Sequence, residues 1–553
     1  MTLGGGIIAD AFVLAMVIAC AYLALHQLTP PAARTADYSP TEFSSARAME
    51  HLKVIAHKPH PLGSTEEAEV RNYILRELTA MGLQTEEQRT KVVVNIFARL
   101  KGTGGGKTIL LVAHYDSVPV SPGAADNGLA VAGIIETLRA LKSGAPLSND
   151  VAILLTDGEE EGLLGAKAFV YDQTRSRDIG LVLNFDARGT QGPELMFETS
   201  EPNERLIEGF AKAAPRPVAN SLMGDVYKLL PNDTDFSVFK GAGYAGFNFA
   251  CIGGLRYYHT SEDNLEHVSE RTLQHQGSSA LALTRYFGNL KLDGSGGGSA
   301  VYFNVPGVPL VHYSRRWVAP LAGLAVAFFV VIAGLGLRRG RLTLQGIASG
   351  FLALLLSLIS TGVVITIVWW MINLLDHRTV AMSPGDSSQG QLYLLSVVAI
   401  TIGVVSALYR WLWRNISVED LLVGGLIWWL LLMLLTSVFL SGGSYMFTWP
   451  LFFSLVGVVT LLLKKKQEPL SPANLATCLV CAVPSIFLTA PMVYLLLAGL
   501  TLKASAAVMM LVALVLGLFL PYVNRGAGAN RWLLPGTSAV AGFILVMVAR
   551  LSA

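Results

Sequence analysis

The chain has 553 residues, of which 52% are hydrophobic and only 14% are charged, whereas ordinary soluble domains carry about 25% charged residues. Its net charge of +2 at pH 7 gives no electrostatic reason to expect nucleic acid as a partner. Of the four cysteines, only Cys251 lies in a polar part of the sequence, so a disulfide framework is excluded there.

The apolar residues are concentrated in blocks long enough to cross a membrane. One block lies at 7–28, the chain is then polar and mixed from Thr29 to Arg316, and eight further blocks follow. About 20 apolar residues in a row span a bilayer as a helix, so the pattern predicts nine spans. We expect the first to be an uncleaved anchor, since no Lys or Arg precedes it and it has no small-residue cleavage site; a cleaved signal peptide is the alternative. The later blocks lie at 317–337, 344–375, 391–409, 421–440, 445–463, 473–500, 505–523 and 532–550.

The loops between the later blocks alternate between basic and cation-poor. By the positive-inside rule the basic loops face the cytoplasm. The polar part lies between the first and second spans, so it is predicted on the non-cytoplasmic side, which is the periplasm in a bacterium and a lumen in a eukaryote. The N-terminus is then cytoplasmic. The basic loops contain Arg338, Arg339 and Arg341; Arg410 and Arg414; Lys464, Lys465 and Lys466; and Arg525 and Arg531.

The polar part alternates short apolar runs with amphipathic segments. "TEEAEVRNYILRELTAMG" has apolar residues at helical spacing and ends at a glycine, and "GLAVAGIIETLRALKS" is a second amphipathic helix. "KVVVNIFARL", "KTILLVAHYDS", "NDVAILLTDG" and "IGLVLNFDARG" are typical of strands. Strands that alternate with helices predict an α/β fold, here a three-layer domain with a largely parallel central sheet flanked by helices.

Histidines and carboxylates follow the predicted strands at the point where each strand ends. Because ligands bind beyond the carboxyl ends of the strands in such sheets, we expect these side chains to lie close together. Repulsion among so many carboxylates would be severe without cations, and two divalent metal ions would cancel it. Mixed histidine and carboxylate ligands suit zinc. The residues are His114, Asp116, Asp126, Glu159, Glu160, Asp186 and His259.

The motifs around these residues resemble those of a known family. "AHYDSVPVSPGAADNG", "DGEEEGLLG", "LNFDARG", "PNDTDF" and "YYHTSEDNLEHV" follow one another as in the co-catalytic dizinc metallopeptidases, which include bacterial leucine aminopeptidases. The match covers about Glu42 to Leu290. With its predicted spans, the chain is also similar to the vacuolar membrane proteases of fungi and the endoplasmic-reticulum metallopeptidases of animals.

The resemblance implies an enzyme anchored in the lipid bilayer, with two zinc ions per chain and a peptide or protein as substrate. Together with the apolar blocks, it divides the chain into an N-terminal transmembrane anchor at 1–28, a dizinc peptidase domain at 29–292, a linker at 293–316 and an eight-helix transmembrane domain at 317–553. The function expected is hydrolysis of peptide bonds on the non-cytoplasmic side, by an exopeptidase or aminopeptidase.

The resemblance also assigns the metal ligands. His114 and Asp186 would hold one zinc ion, and Glu160 and His259 would hold the other. Asp126 would bridge the two ions, and a cis peptide is expected between Asp126 and Asn127.

Further residues receive roles in catalysis from the same resemblance. Asp116 would orient His114 by accepting its second N–H. Glu159 would be the general base for a zinc-bound water. Either Tyr257 or Tyr258 would donate a hydrogen bond to the oxyanion. Asp233 and Asp235 either line the substrate cleft or cap a loop.

Two other functions are consistent with parts of the sequence. A multi-span transporter or receptor with a peptidase-like binding domain would need ionisable groups inside the membrane, and the later spans contain essentially none. An inactive, binding-only relative is disfavoured by the complete set of ligand-type residues and by Glu159. The residues do not predict the substrate side chain, the end of the peptide that is trimmed or the oligomeric state.

Overall fold

The computed structural model describes residues 3–229, 231–292, 297–375, 382–412, 416–463, 472–520 and 532–551. The chain divides into two compact units. One unit is Leu28–Arg315, which contains the sheet. The other combines Met1–Gln27, where helix α1 (Leu3–His26) lies, with Arg316–Ala553.

The unit Leu28–Arg315 is built around a mixed sheet of seven strands in the order β1-β2-β4-β3-β5-β7-β6. The four central strands β4, β3, β5 and β7 run parallel. The edge strands pair antiparallel. The strands are β1 Gln84–Arg89, β2 Val94–Leu100, β3 Thr108–His114, β4 Val151–Thr156, β5 Ile179–Ala187, β6 Gln191–Thr199 and β7 Gly246–Gly253.

Helices cover both faces of this sheet, which confirms the predicted α/β class. They are α2 Ser45–Ile55, α3 Thr65–Ala80, α4 Ala130–Lys142, α5 Leu164–Tyr171, α6 Gln173–Ser176, α7 Glu204–Ala213, α8 Ser221–Tyr227, α9 Asp235–Gly241 and α10 Glu270–Phe287. Serine hydroxyls cap three of them by accepting a backbone N–H of the first turn. These are Ser44 before α2, Ser64 before α3 and Ser269 before α10.

The central strands are buried on both faces, which explains their continuous apolar sequences. Alternate side chains of β3 point to opposite layers of the core. Leu111 packs in a cluster with α2, α4, α7 and α10, whereas Leu110 and Val112 pack with Phe169 of α5 and Phe236 of α9. The strand ends are therefore held rigidly from both sides.

The segment predicted as a linker, 293–316, contains a β-hairpin in its described part. Strands β8 (Ala300–Val305) and β9 (Val308–Ser314) pair antiparallel. Asn304 ties the hairpin to the sheet unit, because its Oδ1 accepts the N–H of Ala219 and its Nδ2 donates to the carbonyl of Pro217.

The second unit is helical and apolar. Within the described residues it contains eight helices long and apolar enough to cross a membrane, and these fall on the eight blocks predicted after Trp317. The predicted first span forms helix α1. Its apolar stretch, Phe12–His26, is not among these eight helices, so a ninth span stays a prediction. The eight are α11 Val318–Arg338, α12 Leu344–Leu375, α13 Ser388–Leu412, α14 Val418–Phe439, α15 Tyr445–Leu463, α16 Pro472–Leu500, α17 Ser505–Phe519 and α18 Leu533–Leu551.

Helices α12 and α14 touch through glycines. A Cβ atom on Gly424 would lie 2.3 Å from the carbonyl oxygen of Ile347 and 2.5 Å from the nitrogen of Phe351, so only glycine allows this approach. Trp428 Nε1 donates to the Phe351 carbonyl over 3.0 Å, and the two rings stack. Small residues at a helix crossing are typical of membrane bundles.

Charged loops of this unit are only partly described. Arg341 lies 2.7 Å from Glu419 at the start of α14. The predicted cytoplasmic cations Arg414, Lys464, Lys465, Lys466, Arg525 and Arg531 lie outside the described residues.

Candidate metal centre

The histidines and carboxylates predicted from the strand ends lie together at one edge of the sheet. His114 is the last residue of β3, Asp186 is near the end of β5, and Glu159 and Glu160 follow β4. These strands are adjacent and parallel, so their carboxyl ends meet. The set is completed by Asp126, from the loop between β3 and α4, and by His259, from the loop after β7.

Asp126 separates the remaining ligand-type residues into two groups. Its Oδ1 lies 3.1 Å from His114 Nε2, and the same nitrogen lies 3.7 Å from Asp186 Oδ1. Its other oxygen, Oδ2, lies 3.0 Å from His259 Nε2, which in turn lies 3.2 Å from Glu160 Oε2. One carboxylate thus faces a histidine and an acid on each side.

These distances fit residues that share a metal ion. Two zinc ligands with bonds of about 2.0–2.1 Å at a tetrahedral angle lie about 3.3 Å apart. Three potential ligand atoms, one from each of His114, Asp126 and Glu160, lie within 4.8 Å of one another. His259 Nε2 and Glu160 Oε1 are buried without a hydrogen-bond partner, although the nitrogen is close to two carboxylates. A bound metal ion would give both atoms a partner.

The ring of His114 is oriented by the residue two positions along the chain. Its Nδ1 lies 3.0 Å from the backbone carbonyl oxygen of Asp116 and 3.5 Å from that residue's carboxylate. A carbonyl oxygen only accepts, so Nδ1 carries the N–H, and Nε2 of the neutral ring keeps its lone pair for a metal.

The turn that carries Glu159 and Glu160 is fixed from two sides. The carboxylate of Asp116 accepts the N–H groups of Glu159 and Glu160, over 3.1 and 3.3 Å. On the other side, Asp157 donates its N–H to Asn95 and accepts the N–H of Val94. Gly158 has φ +67° in this turn, a conformation that L side chains rarely adopt.

The concentration of carboxylates shifts the proton affinities in the site. Burial alone would lower the pKa of His114, but the carboxylates of Asp116, Asp126 and Asp186 raise it well above its usual value. Burial also opposes a charged His259, yet Asp126 and Glu160 raise its pKa to about 10. The site therefore attracts positive charge, which divalent cations would supply in place of protons.

Glu159, the candidate general base, is one of several acids of the site whose pKa lies above its usual value. Burial, followed by the charges of Asp186, Asp235 and Asp126, raises the pKa of Glu159 well above its usual value, against the effect of His114. A raised carboxyl pKa brings the group closer to the pH at which it both accepts and releases protons.

The two candidate oxyanion donors differ in their surroundings. Tyr258 stacks on His259 with ring centroids 3.8 Å apart. Burial and the neighbouring carboxylates raise its pKa, so the phenol stays a donor. Tyr257 instead stacks on His267, 4.0 Å away, and its hydroxyl accepts from Arg256.

The two aspartates of "PNDTDF", whose role the sequence left undecided, also differ in their surroundings. Asp233 is exposed and accepts the hydroxyl of Ser237 over 2.8 Å. Asp235 is buried, accepts from Thr156 at the end of β4, and has its pKa raised to about 7 by burial. Its charge acts on Glu159, so Asp235 belongs to the surroundings of the site.

Sequence reasoning assigned no role to Asp157 and Asp263, although both stand inside the quoted motifs. Asp157 precedes the glycine of the "DGEE" turn, which is a turn signal. Asp263 is fully buried and accepts backbone N–H groups of the Asp126 loop. The expected cis peptide between Asp126 and Asn127 is confirmed.

A mixed α/β sheet that carries histidines and carboxylates at the ends of its parallel strands can hold divalent metal ions at that edge. Residues 95–284 match the family described as Peptidase family M28, so the chain contains a domain of this family. Metallopeptidases of this family use zinc.

Two similar proteins are, by name, a metallopeptidase and a membrane protease. The chain is 28% identical over 299 residues to endoplasmic reticulum metallopeptidase 1 of Rattus norvegicus, covering 52% of this chain and 32% of that protein. It is 30% identical over 303 residues to the vacuolar membrane protease of Eremothecium gossypii, covering 49% and 30%. The matched region thus spans about a third of the length of these curated relatives. Among solved structures, an aminopeptidase from Aneurinibacillus sp. strain AM-1 has 14% identity, covers 45% of this chain and 96% of its own, and has a TM-score of 0.39.

Proposed function

We propose that this protein is a membrane-anchored dizinc aminopeptidase that hydrolyses peptide bonds on the non-cytoplasmic side of the membrane. The observation that carries this proposal is the position of Asp126, whose two oxygens face His114 and His259 separately. A single metal position would not need a carboxylate with a histidine on each side.

These contacts support the ligand roles. His114 and Asp186 would hold one zinc ion, Glu160 and His259 would hold the other, and Asp126 would serve both. Zinc bound there supplies Lewis-acid polarisation of the peptide carbonyl and lowers the pKa of a water molecule toward neutrality.

Glu159 acts as the general base. It is adjacent in the chain to the ligand Glu160, and the N–H groups of both residues are held by Asp116. The turn therefore fixes the backbone from which the Glu159 side chain extends, next to the ligand Glu160. Glu159 takes the proton of the attacking water and delivers it to the leaving amine, which is the usual sequence for a carboxylate in peptide hydrolysis.

Tyr258 is the better of the two candidates for the oxyanion donor. Its phenol is close enough to Asp126, Asp186 and Glu160 for their charges to raise its pKa, so it keeps its proton and can donate it in a hydrogen bond. Tyr257 instead accepts from Arg256 and stacks on His267.

The charge of the site supports recognition of a peptide amino end. When all of their carboxyl groups are ionised, the acidic residues around the site carry more charge than two zinc ions bring. The surplus negative charge attracts a protonated α-amine and disfavours the carboxylate at the other end of a peptide. The acidic residues concerned are Asp116, Asp126, Glu159, Glu160, Asp186 and Asp235.

The membrane half serves as an anchor and platform in this proposal, with the peptidase domain at 29–292 and the membrane domain at 317–553. Within helices α11–α18 the only acidic residues are Glu419 and Asp420, both in the first turn of α14. No ionisable pair lies in the middle of a described span, so a transport path is not proposed.

Purified full-length protein in detergent tests the function. We expect about two zinc atoms per chain by elemental analysis, together with removal of residues from the amino ends of a peptide library read by mass spectrometry. Acetylation of the peptides' amino ends should abolish cleavage. Zinc-loaded protein that leaves all free and blocked peptides intact would contradict the proposal, and cleavage of blocked peptides would contradict the aminopeptidase assignment alone.

A further inference from the structure

We infer that Asp263 is a positioning residue that sets the affinity of both metal positions together. The inference rests on the proposed dizinc function. Asp263 would act by holding the loop of Asp126 against the segment of His259, although it contacts neither metal position itself.

Three successive backbone N–H groups of the Asp126 loop donate to this one residue. Ala124 N donates to the Asp263 carbonyl over 3.2 Å. Ala125 N donates to Oδ1 over 2.7 Å, and Asp126 N donates to Oδ2 over 3.2 Å. Asp263 alone therefore satisfies all three donors, through its side chain and its backbone carbonyl. A carboxylate that accepts two N–H groups fixes their direction more firmly than a neutral acceptor.

The loop is tightened further on its other side. Ser121 Oγ donates to Asp263 Oδ2 over 3.4 Å and accepts the N–H of Gly123 over 3.0 Å. Gly123 has φ +63°, and a Cβ atom there would lie 2.8 Å from the carbonyl oxygen of Asp126. The loop thus closes on itself around the Asp263 carboxylate.

Asp263 is joined to His259 by a short and rigid stretch of chain. Thr260 N donates to the Tyr257 carbonyl over 3.1 Å, and Asp263 N donates to the Thr260 carbonyl over 3.2 Å. His259 lies between these turns with φ +57°, a conformation that only the surrounding contacts maintain. A shift of Asp263 is therefore passed to His259 through the backbone and to Asp126 through its N–H.

The consequence distinguishes Asp263 from the ligands. A ligand such as His259 serves one metal position, so its loss weakens mainly that position. Asp263 orients Asp126, which faces both positions, so its loss is expected to weaken both. Changing a residue that orients metal ligands typically costs about 10–100-fold in metal affinity.

The test replaces Asp263 in the full-length protein in detergent. Asp263→Asn keeps the size of the side chain but replaces one carboxylate oxygen with an NH2 group. This group is a donor and cannot accept a loop N–H. Zinc affinity is measured for both positions by competition with a chromophoric chelator, and the geometry by the visible spectrum of the Co²⁺-loaded protein. We expect both dissociation constants to rise about 10–100-fold, with an altered Co²⁺ spectrum.

Asp150→Asn is the matched control. Asp150 is also a buried aspartate that accepts a loop N–H, from Gly102 over 2.8 Å, but it precedes β4 and so lies at the opposite end of the sheet. Its variant should lose stability and bind zinc as the parent does. Equal losses of zinc affinity in both variants would show general destabilisation and overturn the inference.

Other outcomes are equally decisive. Parent-like zinc affinity in Asp263→Asn, or weakening at one position only, overturns the inference while the proposed function stands. A parent protein that binds no zinc contradicts the proposed function itself.

If Asp263→Asn does not fold, Asp263→Glu takes its place, since it keeps the carboxylate but moves it by one methylene. The two affinities should then fall by similar factors, and an unchanged affinity at either position counts against the inference.

Discussion

The carboxylate of Asp116 accepts the backbone N–H of Glu159 over 3.1 Å. This contact joins the loop after β3 to the turn after β4, across 43 positions of sequence. The second carboxylate oxygen of Asp116 accepts the N–H of Glu160, while the backbone carbonyl of Asp116 orients His114. One residue therefore positions a proposed base and two proposed ligands.

The first prediction concerns this residue. Asp116→Asn should lower kcat about 10–100-fold at saturating zinc, because the new amide presents a donor to N–H groups that are themselves donors. Steady-state kinetics with a peptide amide substrate provide the measurement, and Asp150→Asn again provides the control. A variant with the kcat of the parent would show that the turn keeps its geometry without this carboxylate.

The second prediction concerns the base. Glu159→Gln keeps the size of the side chain but cannot take up a proton. Turnover should fall at least about 100-fold, and elemental analysis should still find the zinc of the parent. Glu161→Gln, at an exposed neighbouring position, is the control and should retain activity. Hydrolysis at the parent rate by the Glu159 variant would remove it from the role of base.

The third prediction separates the bridging ligand from a terminal one. Asp126→Ala should cost both zinc ions, because its two oxygens face both groups of ligands. His259→Ala should mainly weaken one. His267→Ala is the control, since His267 stacks on Tyr257 and should leave the zinc content unchanged. Two zinc atoms per chain in the Asp126 variant would contradict the bridging assignment.

The fourth prediction concerns the pH dependence of stability. Burial raises the pKa of Glu194 to about 8, and its one acceptor contact is with Gln276 Nε2 at 3.2 Å. The folded state therefore holds this proton up to about pH 8, whereas the unfolded chain releases it near the ordinary value of about 4.3. The contribution of Glu194 to stability is fully present below the lower value and is lost as the pH rises through the upper one.

Glu194→Gln should abolish this dependence, because glutamine is neutral at every pH and keeps the acceptor oxygen. The Tm of the full-length protein in detergent, measured at pH 5 and pH 8, should rise at pH 8 relative to the parent and change little at pH 5. Glu69→Gln, at an exposed position on α3, should follow the parent. Equal effects of the Glu194 change at the two pH values would show that its carboxyl is ionised in the folded protein.

The fifth prediction concerns orientation in the membrane. If the basic loops are cytoplasmic and the chain has nine spans, a reporter active only in the cytoplasm should be active when fused after Lys466 and silent after Ala553. The physical reason is the bias of Lys and Arg toward the cytoplasmic side. The reverse pattern would place the peptidase domain in the cytoplasm.

The sequence by itself determined the features that depend on local composition. Eight blocks after Trp317 are long apolar helices in the structure, because a chain in lipid must satisfy its backbone hydrogen bonds within a helix. The buried central strands could also be predicted from the sequence, since burial on both faces requires a continuous apolar run such as "TILLVAH" of β3. The polar residues that end those runs marked the edge of the sheet where the site lies.

The tertiary structure alone decided the features that depend on contacts between distant residues. Strand β1, "QTEEQR", is polar and is a strand because it pairs with β2 at the edge of the sheet. That the carboxylate of Asp116 faces the Glu159 turn, and that Asp263 holds the Asp126 loop across 137 positions, follows from how the strands are ordered. Residue type and spacing along the chain do not specify that order, because the free energy that selects it comes from packing of the whole sheet unit.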